Sequence, residues 1–431
     1  MPNLRVIVVS LLALVGSACV ADEASSSDPS GGKGDNGFSC PSAQTGWRTM
    51  ATYVPPAGTN PRFEHWTADG VWTGSEAFFV GIIGYNQQQG CPTPFCWRNE
   101  AAAYDPATNT WRTLASPYTT DDRQGLFSQW TGSEWILFGG YYKSATDAGM
   151  DGRRYDPATD TWTDIPKVPL PYLREASVAW SPTTEELIVF GGVRLKDGVT
   201  TPVGAASYEA TSETWAWSLA TNTWRSVADS PLSPRQASHA AFDGRNIVFA
   251  WGRAYPGPAE EYRSIPGVAT YEPVSETWTM LAEPAVDHRM TFADVTIGGA
   301  AGAFWGGHPA LGDGDFWLTL HDGAAWDRMA GAWQTITDPG LPGTYRSGHA
   351  TWSAHGKLYV SGGENYEDDG MGTLELPLDG AAWDFATATW QPLPPAPTGR
   401  AFASTVWTGC DAIVFGGGYP LTNTGGMILR P

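Results

Sequence analysis

The chain has 431 residues, with 25 basic against 45 acidic side chains and a formal net charge of −20. Gly (51) and Pro (33) make up about a fifth of it, charged residues only 16%, and Trp numbers 22, a balance of turn formers and aromatics that points to β structure with frequent tight turns. A hydrophobic content of 42% excludes wholesale disorder, and the acidic excess argues against gripping nucleic-acid phosphates, which takes clustered Lys and Arg.

The first residues read as an export signal. Arg5 and the amino terminus supply positive charge, and Val6 to Val15 form an apolar run broken only by Ser10. That run is about ten residues, short of the roughly twenty that span a bilayer. It ends in Gly16-Ser17-Ala18-Cys19. The segment resembles a bacterial lipoprotein signal, which implies that residues 1–18 are removed and Cys19 is lipidated. Gly16 departs from that pattern, where Leu or a similar aliphatic is usual, and an ordinary secretory signal cut after Ala18 or Ala21 is the alternative. Setting Cys19 aside leaves an even number of cysteines, Cys40, Cys91, Cys96 and Cys410, as suits an exported chain whose thiols pair. Residues 19–39 are rich in Ser, Asp and Gly, with one aromatic residue at Phe38. They read as a flexible tether.

From residue 40 onward the chain repeats itself. An arginine opens each cycle, at Arg62, Arg123, Arg174, Arg235, Arg289, Arg346 and Arg400. An apolar run ending in glycine follows, as in Ile136-Leu137-Phe138-Gly139-Gly140, Leu187-Ile188-Val189-Phe190-Gly191-Gly192 and Ile413-Val414-Phe415-Gly416-Gly417, with a weaker copy at Phe79-Val80-Gly81-Ile82-Ile83-Gly84. Then comes an aromatic residue with Trp seven positions on. Tyr104-Asp105-Pro106-Ala107-Thr108-Asn109-Thr110-Trp111 is one copy; Tyr155 with Trp162, Tyr271 with Trp278, and Trp217, Trp326 and Trp383 with Trp224, Trp333 and Trp390 are the others. Asp-Pro sets a tight turn, so the aromatic and the Trp sit on two strands of a hairpin. Each cycle thus holds four short strands, and radial stacking of such sheets buries their faces.

These marks resemble the kelch repeat, and the resemblance implies an all-β, seven-bladed β-propeller over residues 40–431. Six hairpins follow seven arginines, so one blade lacks its outer strand. Gly425-Gly426-Met427-Ile428-Leu429 supplies only a third strand, while Thr45-Gly46-Trp47-Arg48-Thr49-Met50 matches Asn109-Thr110-Trp111-Arg112-Thr113-Leu114. Residues 41–51 are therefore expected to complete blade seven. Cys410 falls in the first turn of that blade and Cys40 beside the closing strand, which predicts a Cys40–Cys410 disulfide. Cys91 and Cys96 would close a local loop in blade one.

No catalytic motif appears. A residue repeated in every blade serves every blade, so the arginines are expected to bond carbonyls of a neighbouring loop and the Trp residues to pack between blades. His65, His239 and His349 follow their arginines onto inner strands, but zinc-like spacing is absent and no metal or cofactor is expected. Galactose oxidase has a similar propeller; its adjacent Tyr-His copper ligands have no counterpart here. Asp313-Gly314-Asp315 and Glu367-Asp368-Asp369 read as solvated turns. Binding is expected on the loops after the glycines, through Tyr85, Trp97, Tyr141, Tyr142, Tyr255, Tyr262, Glu364, Asn365, Tyr366 and Tyr419. The expected role is a monomeric module of the cell envelope or a secreted one, binding a protein or glycan and touching membrane only through Cys19. Two alternatives stand: an enzyme of the sialic-acid mutarotase type, for which Glu364 is the acidic candidate, and a structural envelope protein.

Overall fold

The computed structural model describes residues 40, 45–56, 60–62, 70–85, 96–119, 123–141, 150–199, 205–255, 264–287, 289–290, 293–297, 301–306, 308–309, 320–341, 348–366, 374–417 and 424–431. Among these the only helical element is a single 3-10 turn at Ala205–Ser207; the rest of the regular structure is β. The fold is a seven-bladed β-propeller of antiparallel blades. Blade 3 sets the pattern. Its inner strand Ser177–Ser181 pairs with Glu186–Phe190, which pairs with Thr214–Ser218, which pairs with the outer strand Thr223–Ser226.

The apolar runs are continuous because both faces of each second strand are buried. Buried side chains fall into seven clusters, one for each seam between neighbouring blades. Along Glu186–Phe190, Leu187 and Val189 face blade 2, while Ile188 and Phe190 face blade 4. Burying each such side chain contributes about 1.5–3 kcal/mol, so stability is spread around the ring rather than held in one core.

The hairpins place each aromatic opposite its Trp: Tyr104 faces Trp111, Tyr155 faces Trp162, and Trp217 faces Trp224. In the first of these, the Asp105 carboxylate accepts from the Ala107 amide at 2.8 Å and from the Thr108 hydroxyl at 2.8 Å. The turn then needs one left-handed residue, supplied by Asn109 (φ 56°), Asp160 (φ 52°) and Asn222 (φ 53°) in successive blades.

Each Trp also ties its blade to the one before. The Trp111 indole N–H donates to Ala51 O at 2.7 Å, Trp162 to Ala115 O at 2.8 Å, and Trp224 to Pro166 O at 2.7 Å. Trp278 reaches Ala228 O at 2.9 Å, Trp333 reaches Ala282 O at 2.7 Å, and Trp390 reaches Thr337 O at 2.6 Å. Trp47 completes the circle by donating to Pro394 O at 2.8 Å. Every acceptor stands four residues after the preceding blade's Trp. The expected packing role is therefore accompanied by a directed bond.

Closure occurs as the sequence predicts. The strand Gly46–Thr49 pairs with Gly426–Arg430, with Trp47 opposite Leu429, and becomes the outer strand of blade 7. Cys40 and Cys410 form a disulfide across a sequence separation of 370 residues. Beside it Asp411 accepts bidentate bonds from Arg48 of the closing strand (3.1 and 2.8 Å) and Arg430 of the last strand (2.6 and 2.7 Å). Burial alone would raise the Asp411 pKa; the two guanidiniums outweigh it and hold the carboxyl below its ordinary value.

Blade 1 departs from the pattern. Arg62 does not precede the inner strand but lies within Asn60–Arg62, which pairs with the far end of Ala77–Tyr85; Val71–Trp72 pairs with its near end. Nor do Gly81 and Gly84 end the second strand, which runs on to Tyr85 opposite Cys96–Asp105. An isolated glycine between apolar β-formers does not stop a strand.

Candidate functional site

The two faces of the propeller differ. Connections within the hairpins are two to four residues long, as at 131–134, 182–185, 219–222 and 355–356. On the opposite face, the connections from second to third strand and from blade to blade run ten residues or more, as at 191–213, 251–267, 362–379 and 166–176. Long loops on a rigid frame are where binding groups are usually carried.

The base of this loop face is built by the arginines. Arg123 donates to Gly139 O at 3.4 Å and pairs with Asp151, its guanidinium 4.3 Å from the Tyr118 ring centre. Arg235 donates to Trp251 O at 2.8 Å and to Pro266 O at 3.1 Å, and Arg400 donates to Gly416 O at 2.5 Å. One acceptor lies 16 residues on in all three. Gly139 is within its second strand, whereas Trp251, Pro266 and Gly416 stand in the loop that follows the second strand of the same blade, in line with the loop carbonyls expected. Antiparallel pairing brings the start of strand 1 beside the end of strand 2, so the guanidinium meets that carbonyl first. Burial lowers both Arg235 and Arg400 to about 10.

The double glycines bind blade to blade. Gly192 N–H donates to Arg235 O at 2.8 Å and Gly363 N–H to Arg400 O at 2.8 Å. A Cβ on Gly362, at φ 66°, would stand 2.5 Å from Arg400 O. Blade 1 uses a side chain instead: the buried Asn99 donates to Arg123 O at 2.9 Å and accepts from Arg123 N–H at 2.8 Å.

Blade 3 breaks the arginine pattern. In blades 2, 4 and 7 the left-handed residue at the blade start lies two after the arginine (Gly125, Ala237, Phe402); in blade 3 it is Glu175, one after Arg174, at φ 52°. The shift redirects Arg174. Its guanidinium carbon lies 4.4 Å from the Tyr208 ring centre and 6.0 Å from that of Tyr255. Tyr208 begins the strand Tyr208–Ala210, which pairs with Val193–Leu195 to form a small hairpin outside the blade sheet. Glu175 turns to Arg253 of blade 4, at 2.8 Å. Nothing in the sequence marks Tyr208, Glu175 or Arg253; the one available signal is Arg174-Glu175-Ala176-Ser177 set beside Arg235-Gln236-Ala237-Ser238.

Of the residues proposed from sequence, only Tyr255 joins this arrangement, and it is half-buried. Glu364 is buried, with 7% exposure, in contrast to the exposed loop position expected for it. Tyr85, Trp97 and Tyr141 fall on blade strands (Ala77–Tyr85, Cys96–Asp105 and Trp135–Tyr141) that extend further toward the loop face than the glycines imply. Asn365 and Tyr366 lie in the 362–379 connection, as expected, where they form a short strand paired with Leu374–Glu375. Tyr142, Tyr262 and Tyr419 lie outside the described residues, as do Cys19, Cys91, His65, Arg346 and the signal and tether segments.

His349 stands against Trp305 and His321, with ring centres 5.2 and 6.2 Å away, at the seam of blades 5 and 6. His239 is buried at the start of its inner strand. Among the described residues no group of three His, Cys, Asp or Glu is placed to hold a metal ion, and no helix is long and apolar enough to cross a membrane. The sequence also passed over Glu100, a buried carboxylate that accepts from the Tyr53 hydroxyl at the seam of blades 7 and 1. Burial pushes its pKa up despite that bond.

No protein-family model matches the chain, and no curated protein does. Among solved structures the chain is similar to the structure of YjhT at 14% identity and a TM-score of 0.49, over 72% of this chain and 93% of that one. A likeness at this level says nothing about activity.

Proposed function

We propose that this protein is an exported propeller of the kelch type that binds a protein or glycan on its loop face. The carrying observation is the contrast between the faces: short hydrogen-bonded turns on one, connections of ten residues or more on the other. The cycle of arginine, glycine-ended strand and aromatic-to-Trp hairpin supports the kelch assignment. The signal-like first residues support export, and the Cys40–Cys410 disulfide fits an oxidising compartment.

The mature protein, displayed on glycan arrays and used in pull-downs from envelope extract, is expected to retain a specific ligand. Tyr208→Ala with Tyr255→Ala should abolish retention, while Thr159→Ala with Thr387→Ala on the turn face should not. Retention unaffected by the loop-face changes would overturn the reading. So would a silent screen joined to anomeric exchange of a sugar by NMR, which would move the protein into the enzyme class. Metabolic labelling with a fatty acid, lost on Cys19→Ser, tests the anchor separately.

A further inference from the structure

Arg174 stands one residue nearer its inner strand than Arg235 and Arg400 do, bridging Val193 as Gln236 bridges Arg253, and it does different work. Arg123, Arg235 and Arg400 spend guanidinium N–H groups on a carbonyl in or just after their own second strand. Among the described residues no acceptor takes a hydrogen bond from the Arg174 guanidinium; its contacts are with the rings of Tyr208 and Tyr255. The carboxylate beside it in sequence, Glu175, is drawn off to Arg253 at 2.8 Å. All three of Arg174, Tyr208 and Tyr255 are half-buried, on the face that carries the long loops.

We infer that Arg174 is the anchor of a carboxylate-binding subsite between blades 3 and 4, walled by Tyr208 and Tyr255. The inference rests on the binding role proposed above and names the chemistry its ligand presents. A guanidinium stacked on an aromatic face keeps its edge, where the N–H groups lie, open to a planar acceptor, and a carboxylate matches that edge with two parallel bonds. Charge selects a monoanion over phosphate. The Glu175–Arg253 pair is neutral as a unit, and Arg194 on the adjoining hairpin is outnumbered by Asp197 at 2.7 Å, Glu209 at 2.9 Å and Glu213 at 3.6 Å. Among the described residues the three carboxylates still outnumber the two cations of that hairpin, Arg194 and Lys196, and the surplus negative charge disfavours a dianion.

Phenylglyoxal, which modifies accessible guanidiniums, tests this on the full oxidised chain by mass-spectrometric peptide mapping. Arg174 should react at least ten-fold faster than Arg235 and Arg400. Saturating acetate or glucuronate should slow it at least five-fold while leaving Arg245 unchanged, and glucose should have no effect. Calorimetry with glucuronate should register binding that weakens at least ten-fold in Arg174→Lys, which keeps the charge but loses the planar fork. Arg174 reacting no faster than the buried arginines, or protection absent with both carboxylates, would overturn the subsite. Protection without any retained protein or glycan would keep the subsite and overturn the wider binding role. Retention of a ligand that Arg174→Lys leaves intact, without protection, would do the reverse.

Discussion

The turn face and the loop face are built from the same strands, yet the same residue types have different duties on each. On the turn face acidic side chains are spent on the scaffold: Asp105 and Asp156 cap their own turns, and Asp411 takes two arginines from the two ends of the chain. On the loop face three arginines are likewise consumed by backbone carbonyls, and one, Arg174, is not. The difference teaches where to look for function in a repeat protein. A residue doing what its equivalents do is scaffold, and the copy that has been turned aside is the candidate for binding.

Substitutions can break or sharpen this contrast. The largest effect is expected from Cys40→Ser with Cys410→Ser. Loop-closure entropy over so long a segment is on the order of 5 kcal/mol, and calorimetry should register a large fall in Tm. An unchanged Tm would mean that strand pairing alone holds the ring. Next, Gly362→Ala forces a Cβ against Arg400 O at a positive φ and should cost about 2–3 kcal/mol in denaturant unfolding, although it sits at the base of the loop face. That would separate loop bases, which are structural, from loop tips.

Acid should loosen the closure. The Asp411 pKa is lowered in the folded state, so its stabilisation is full above the ordinary carboxylate range and is lost as pH falls through the folded value. Glu100 has the opposite sign: its pKa is raised, so the folded state is favoured at low pH and loses that advantage as pH rises through its folded value. Arg48→Gln should therefore flatten the acid limb of the stability profile, and Glu100→Gln the opposing one. Trp224→Phe removes one indole bond to Pro166 O and should cost about 1 kcal/mol. Asp156→Ala removes one turn cap and should cost about 0.5–1 kcal/mol. Neither should alter ligand retention; if either did, the division between the faces would fail.

The fold was legible because its rules are local and repeated. Tyr104 and Trp111, or Gly191 and Gly192, carry a geometric demand that recurs in most blades, and the match of Thr45–Met50 to Asn109–Leu114 disclosed the closing strand. Blade 1 was less legible: its inner strand is split, and Gly81 looks like a terminator while serving as a strand residue. The candidate site was the least legible. The turning-aside of Arg174 follows from a one-residue slip of the arginine along its strand, so that it bridges Val193 where Gln236, and not Arg235, bridges Arg253. Arg174-Glu175-Ala176-Ser177 nevertheless reads almost as Arg235-Gln236-Ala237-Ser238 does, and the pairing that separates them is not written in either. Glu364 misled for a related reason: proximity to a loop in sequence does not give exposure.

The covalent clasp also sets a direction. Because Cys40 is held to Cys410 in a hairpin turn of blade 7, it is pinned on the side of the short turns, across the propeller from Arg174 and its tyrosines.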